Sequence, residues 1–79
     1  MSTDSAVLTQ VTDTIAKIAN LNALAPDQDF YDAGATSLMA LPILLDLEDM
    51  YSVSIPDDRF IAARTPRALA ELIASLQKE

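Results

Sequence analysis

Ser37 is the side chain of this 79-residue chain best placed for covalent chemistry. It follows Gly34-Ala35-Thr36 and opens an apolar run, Leu38 to Leu45, with the composition of a helix. A hydroxyl at a helix start stands among backbone N–H groups without intrahelical partners, at the positive end of the helix dipole. An anion at such a helix start is favourably placed. Gly34 can adopt backbone angles closed to other residues and so turn the loop tightly into the helix. The bland reading of the same pattern is a simple helix cap at Thr36 or Ser37.

Other chemistry is scarce. The chain has no His and no Cys, which removes the usual nucleophile–base pairs, disulfides and zinc sets. Asp27, Asp29 and Asp32 cluster in one segment, but a calcium loop starting at Asp27 would need Gly at its sixth position and Glu at its twelfth. Asp32 and Leu38 stand there, so no metal site is expected. Asp57-Asp58 suits the start of a short helix, complementing its dipole. Arg59, Arg64 and Arg67 are available to answer the acids of neighbouring loops, with no further role legible.

The elements that must position Ser37 follow from periodicity. Val7, Leu8, Val11, Ile15 and Ile18 recur at three- and four-residue intervals, predicting a first helix over about Asp4–Ala19, capped by Asp4 or Ser5. From Asn20 to Thr36 the period fails and Asn, Asp, Pro and Gly accumulate. This is a long loop that Leu21, Leu24 and Phe30 can pin to the core. The second helix runs from Ser37 to about Tyr51. Ser52-Val53-Ser54-Ile55-Pro56 is an extended link, because a residue before proline avoids helical angles. One or two helical turns follow over Asp57–Ala62. The last helix is the clearest, with Thr65 as N-cap, Pro66 as first helical residue and Leu69, Leu72, Ile73 and Leu76 as its buried stripe. The fold class is all-α, a four-helix bundle of three main helices and one short one, in a single domain over residues 1–79.

Composition bounds the function. Hydrophobic residues make up 51% of the chain, enough for a small core built by apolar packing alone. Twelve acids against five bases give a net charge of −7, which repels phosphate backbones and argues against nucleic acid. Such a surface is steered toward basic patches on other proteins, or simply keeps a small apolar domain in solution. No apolar run approaches the ~18 residues of a membrane span, and the first residues carry no basic signal-peptide stretch. A cytoplasmic chain is expected.

The stretch Phe30-Tyr31-Asp32-Ala33-Gly34-Ala35-Thr36-Ser37-Leu38 resembles the attachment motif of the acyl carrier protein family, where an aromatic, an acid and a glycine precede a Ser-Leu pair opening the second helix. Ile55-Pro56-Asp57-Asp58 falls where that family has its Ile-Pro-acid signature, and Thr65-Pro66 where its fourth helix begins. The resemblance implies an acyl-carrier-like bundle with 4'-phosphopantetheine, derived from coenzyme A, esterified to Ser37 and flanked by Gly34, Thr36 and Leu38. It implies a cargo held as a thioester of the arm's thiol, a phosphopantetheinyl transferase as partner, and an acyl- or aminoacyl-loading ligase with downstream transferases. The chain would be a monomer and not itself an enzyme.

The second helix is apolar on too many sides for one buried stripe. Placed at 100° per residue, Ala40, Ile43, Leu44, Leu47 and Tyr51 form the expected core face. Leu38, Met39, Leu41, Pro42 and Leu45, beside Asp46 and Asp49, form an expected partner-binding face. Family members of fatty acid synthesis carry acids at the positions of Thr36, Met39 and Pro42, so the resemblance points to a specialised carrier: a freestanding aminoacyl carrier, or one of polyketide or peptide type. The rival reading is an unmodified helical interaction module docking through helix two. Pro42, beyond the free first turn, loses a hydrogen bond to the Leu38 carbonyl, so a kink or a loosened first turn is expected.

Overall fold

The computed structural model describes residues 5–78. Four helices follow in order: α1 (Ser5–Ala19), α2 (Ser37–Tyr51), α3 (Asp57–Ala62) and α4 (Pro66–Gln77), and there is no strand among the described residues. This is the helical bundle that the sequence predicts. Of the two caps expected for α1, Asp4 lies outside the described residues and Ser5 opens the helix.

α1 packs against both α2 and α4. Its Val11 and Ile15 are fully buried, as are Ile43 and Leu47 of α2 and Leu69 and Ile73 of α4. Val7, Leu8 and Ile18 are half-buried and pack against that core, as does Leu76 at the far end of the α4 stripe. α4 starts as its sequence dictates: Thr65 is the N-cap, its hydroxyl accepting the Ala68 N–H at 3.1 Å, and Pro66 occupies the first turn. α1 and α2 each end on a non-glycine residue in the left-handed region, Asn20 at φ 57° and Ser52 at φ 54°. Beyond Ser52, the Glu48 carboxylate accepts the Ile55 N–H at 2.8 Å and ties the extended link back onto α2.

Residues 20–36 cross the bundle as a fastened loop. Phe30 is fully buried, while Leu21 and Leu24 pack partly against the core. Burying a side chain of that size contributes about 1.5–3 kcal/mol. Two backbone bonds join the loop to the start of α4 and the residues before it: Phe30 N–H to the Arg64 carbonyl at 3.0 Å, and Arg67 N–H to the Pro26 carbonyl at 2.9 Å. Two ion pairs, each 2.6 Å, reinforce them: Arg64 with Asp29 and Arg67 with Asp27. Arg64 and Arg67 thus answer the loop acids, and Asp27 and Asp29 are engaged by their guanidinium groups. No set of three metal-ligating side chains converges among the described residues.

α2 runs through Pro42 without a break. Its first turn is closed by Met39 N–H on the Thr36 carbonyl at 3.0 Å, a bond reaching back three residues. The Leu38 carbonyl that Pro42 cannot serve belongs to a residue 87% exposed, where water can satisfy it.

Candidate functional site

The loop delivers the chain to α2 through one constrained turn. Asp29 Oδ1 accepts the N–H groups of Tyr31 and Asp32, at 2.9 and 3.2 Å. Ala33 N–H reaches the Asp29 carbonyl and Ala35 N–H reaches the Phe30 carbonyl, at 3.0 and 2.9 Å. Gly34 sits at φ +133°, and a Cβ there would approach Leu21 Cδ2 to 3.1 Å. A side chain there is strained by the backbone angle, and Leu21 would have to give by a few tenths of an ångström to admit it. The backbone angle at Gly34 therefore favours glycine at this turn.

Ser37 emerges from this turn exposed, as the first residue of the 15-residue α2. Thr36 is the N-cap, with extended backbone angles and no cap bond from its side chain. The start of α2 therefore keeps its positive end without a side-chain acceptor laid over it. Two clefts open at Ser37. One, of about 240 Å³, is lined by Ala40, Leu41, Leu44, Asp57, Phe60 and Ile61 as well as Ser37. The other, of about 500 Å³, is lined by Tyr31, Ser37, Ala40, Ile61 and Arg64. The two share Ser37, Ala40 and Ile61, so α3 forms the opposite wall of both.

The partner face predicted on α2 is mostly exposed. Leu38, Leu41 and Leu45 are 87%, 59% and 55% exposed, and Pro42 and Asp49 also face solvent. Met39 is a correction: it is half-buried and packs against the core. It stands four residues before the fully buried Ile43, which puts it on the inner face. Asp46 is exposed but turned toward α1, where it lines a separate cleft of about 350 Å³ with Gln10, Asp13, Thr14, Lys17 and Met50. On the core face, Ile43, Leu44 and Leu47 are buried, while Ala40 and Tyr51 are half-buried.

Ile61, Tyr31 and Arg64 belong to the surroundings of Ser37 and were not legible there from sequence. Ile61 is 64% exposed and extends the apolar surface of α2 across the cleft. Its sole sequence signal is an apolar residue beside Phe60 in a short helix with room for one inward position. The Arg64 guanidinium lies 4.8 Å from the Tyr31 ring centroid and holds the Asp29 carboxyl below the usual carboxylate range, chiefly through their hydrogen bond. Asp27 is lowered in the same way by Arg67.

An exposed hydroxyl at the positive end of a long helix, beside open clefts, fits a covalently attached phosphate-linked arm. The comparison with known families agrees: residues 9–73 match the family described as "Phosphopantetheine attachment site". The chain belongs to that family and is a carrier protein of the acyl carrier type, bearing 4'-phosphopantetheine covalently. Its partners include a phosphopantetheinyl transferase and the enzymes that use the arm. A comparison with curated proteins finds no match. No helix among the described residues is long and apolar enough to cross a membrane.

Proposed function

We propose that Ser37 bears the arm, and that the chain is a specialised carrier of aminoacyl, polyketide or peptide type rather than the bulk carrier of fatty acid synthesis. The observation that carries the first part is the position of Ser37. Within the matched span 9–73 the serines are Ser37, Ser52 and Ser54. Ser52 caps the C-terminal, negative end of α2, and Ser54 lies in the extended link. Of these three, Ser37 alone combines exposure with the positive end of a long helix, which favours a phosphodiester.

The arm supplies the thiol that takes up cargo as a thioester. The chain's own residues orient that arm and present it. Gly34 shapes the turn, the first turn of α2 offers its N–H groups, and Thr36 and Leu38 flank the attachment. Leu38, Leu41 and Leu45, with Pro42 and Asp49, present an apolar face to partner enzymes. Chemistry on the cargo falls to those partners, a loading ligase and downstream transferases, since the chain has neither His nor Cys of its own.

The character of this face supports the specialised reading. Thr36 and Pro42, where fatty acid synthesis carriers have acids, are exposed and uncharged. Met39 is half-buried, so its lack of charge alters the outer surface less. A partner reading this face meets apolar contacts more than charge, and its binding should depend only weakly on salt.

Incubation with coenzyme A and a phosphopantetheinyl transferase tests the reading by intact mass. Wild type should gain one phosphopantetheinyl group and Ser37→Ala should gain none. A wild-type chain that folds yet stays unmodified would favour the unmodified interaction module. Offering the loaded chain to a malonyl transferase of fatty acid synthesis, and separately to amino-acid-activating ligases, tests the specialised part. Efficient malonyl transfer with no aminoacylation would contradict an aminoacyl carrier.

A further inference from the structure

Two arginines hold the long loop, and they use their hydrogen bonds differently. Arg67 turns two nitrogens onto one carboxylate, Nε to Asp27 Oδ1 at 2.6 Å and Nη2 to Asp27 Oδ2 at 3.3 Å. Arg64 donates only Nε, to Asp29 Oδ2 at 2.6 Å. Its Nη1 and Nη2 groups make no hydrogen bond to any described residue, and its side chain lines the larger cleft beside Ser37.

Arg64 is also held in place. Its carbonyl accepts the N–H of the fully buried Phe30, its guanidinium rests near the Tyr31 ring, and its partner Asp29 is bound in turn to two backbone N–H groups. A guanidinium oriented on one edge by a fixed carboxylate, with its other edge open, matches the two-oxygen geometry of a phosphate or carboxylate. Among the described residues, Arg64 is the one cation lining either cleft at Ser37, in a chain of net charge −7.

We propose that Arg64 recognises an oxyanion in the cleft beside Ser37, through its Nη groups. The oxyanion has two possible sources on this chain: the phosphodiester of the arm, or a carboxylate on the cargo. The inference rests on Ser37 bearing the arm, and it adds a residue from outside the attachment motif that orients what Ser37 carries.

Side-chain ¹H–¹⁵N spectra of the arginines test it on the folded wild-type chain in four forms. These are the apo chain, the chain with the bare arm, and the chain with the arm carrying a butyryl or a succinyl group through a stable amide. Loss of one set of signals in Arg64→Lys assigns Arg64, and Arg67 is the internal reference. A shift of the Arg64 Nη signals between apo chain and bare arm, unchanged by either cargo, supports the phosphodiester. A shift with succinyl alone supports the cargo carboxylate. Arg64 signals unmoved in every loaded form, with loading at Ser37 verified by mass, would overturn the inference and leave the carrier reading intact. A chain that accepts no arm at Ser37 would remove both.

Discussion

α2 and α4 are comparable in length, 15 and 12 residues, and opposite in how they use their surfaces. α4 buries Leu69, Leu72 and Ile73, and its start is closed by the Thr65 hydroxyl on the Ala68 N–H. α2 buries Ile43, Leu44 and Leu47, yet leaves Leu38, Leu41 and Leu45 in solvent and starts without a side-chain cap. One helix is finished within the bundle. The other keeps an apolar face open to solvent, which suits the proposal that α2 presents the arm to partner enzymes.

The comparison can be broken most forcefully in the core. Leu69→Ala, at a fully buried site, should lower stability by about 2–5 kcal/mol, whereas Leu41→Ala on the open face should stay within about 0.5 kcal/mol. Urea unfolding of both variants measures this. Similar losses would mean that the outer face of α2 is part of the fold. Gly34→Ala probes the turn that feeds α2, and its unfavourable φ with the Leu21 contact should cost about 1–3 kcal/mol by thermal unfolding. An unchanged Tm would show that the turn relaxes freely.

The two helix starts sharpen the contrast. Thr65→Ala removes a cap bond and should cost about 1 kcal/mol, while Thr36→Ala removes none and should stay within about 0.5 kcal/mol. A larger loss at Thr36 would refute the open start of α2. The smallest effect concerns pH. The Asp27 and Asp29 carboxyls are lowered by their arginines in the folded chain. Their stabilisation is therefore fully present above the ordinary carboxylate pKa of about 4 and disappears as pH falls through the depressed values. Solvent screens both pairs, so the effect is slight. Asp29→Asn should be less stable than wild type at neutral pH, and the gap should close toward pH 3; a gap that widens in acid would contradict this sign.

What could be read in advance followed from local rules. α4 was legible because Thr65-Pro66 and the leucine spacing belong to one short stretch, and Phe30 was legible as the anchor of an otherwise polar loop. The inner face of α2 was only partly legible. With apolar residues on nearly every side, Met39 was read with its outer neighbours, although its four-residue spacing from Ile43 agrees with the partly buried place it takes against the core. The surroundings of Ser37 were the least legible. Arg64 and Asp29 are 35 residues apart, and nothing local in either says that the guanidinium will stand in a cleft with Ser37.

The most direct measurement is the position of the arm on the loaded chain, read by fragmentation mass spectrometry after transfer from coenzyme A. The structure predicts the entire added mass on Ser37, with Ser37→Ala unloaded and its stability changed by no more than about 0.5 kcal/mol. Modification at Ser52 or Ser54, or a Ser37→Ala chain that still takes up the arm, would contradict the assignment of Ser37.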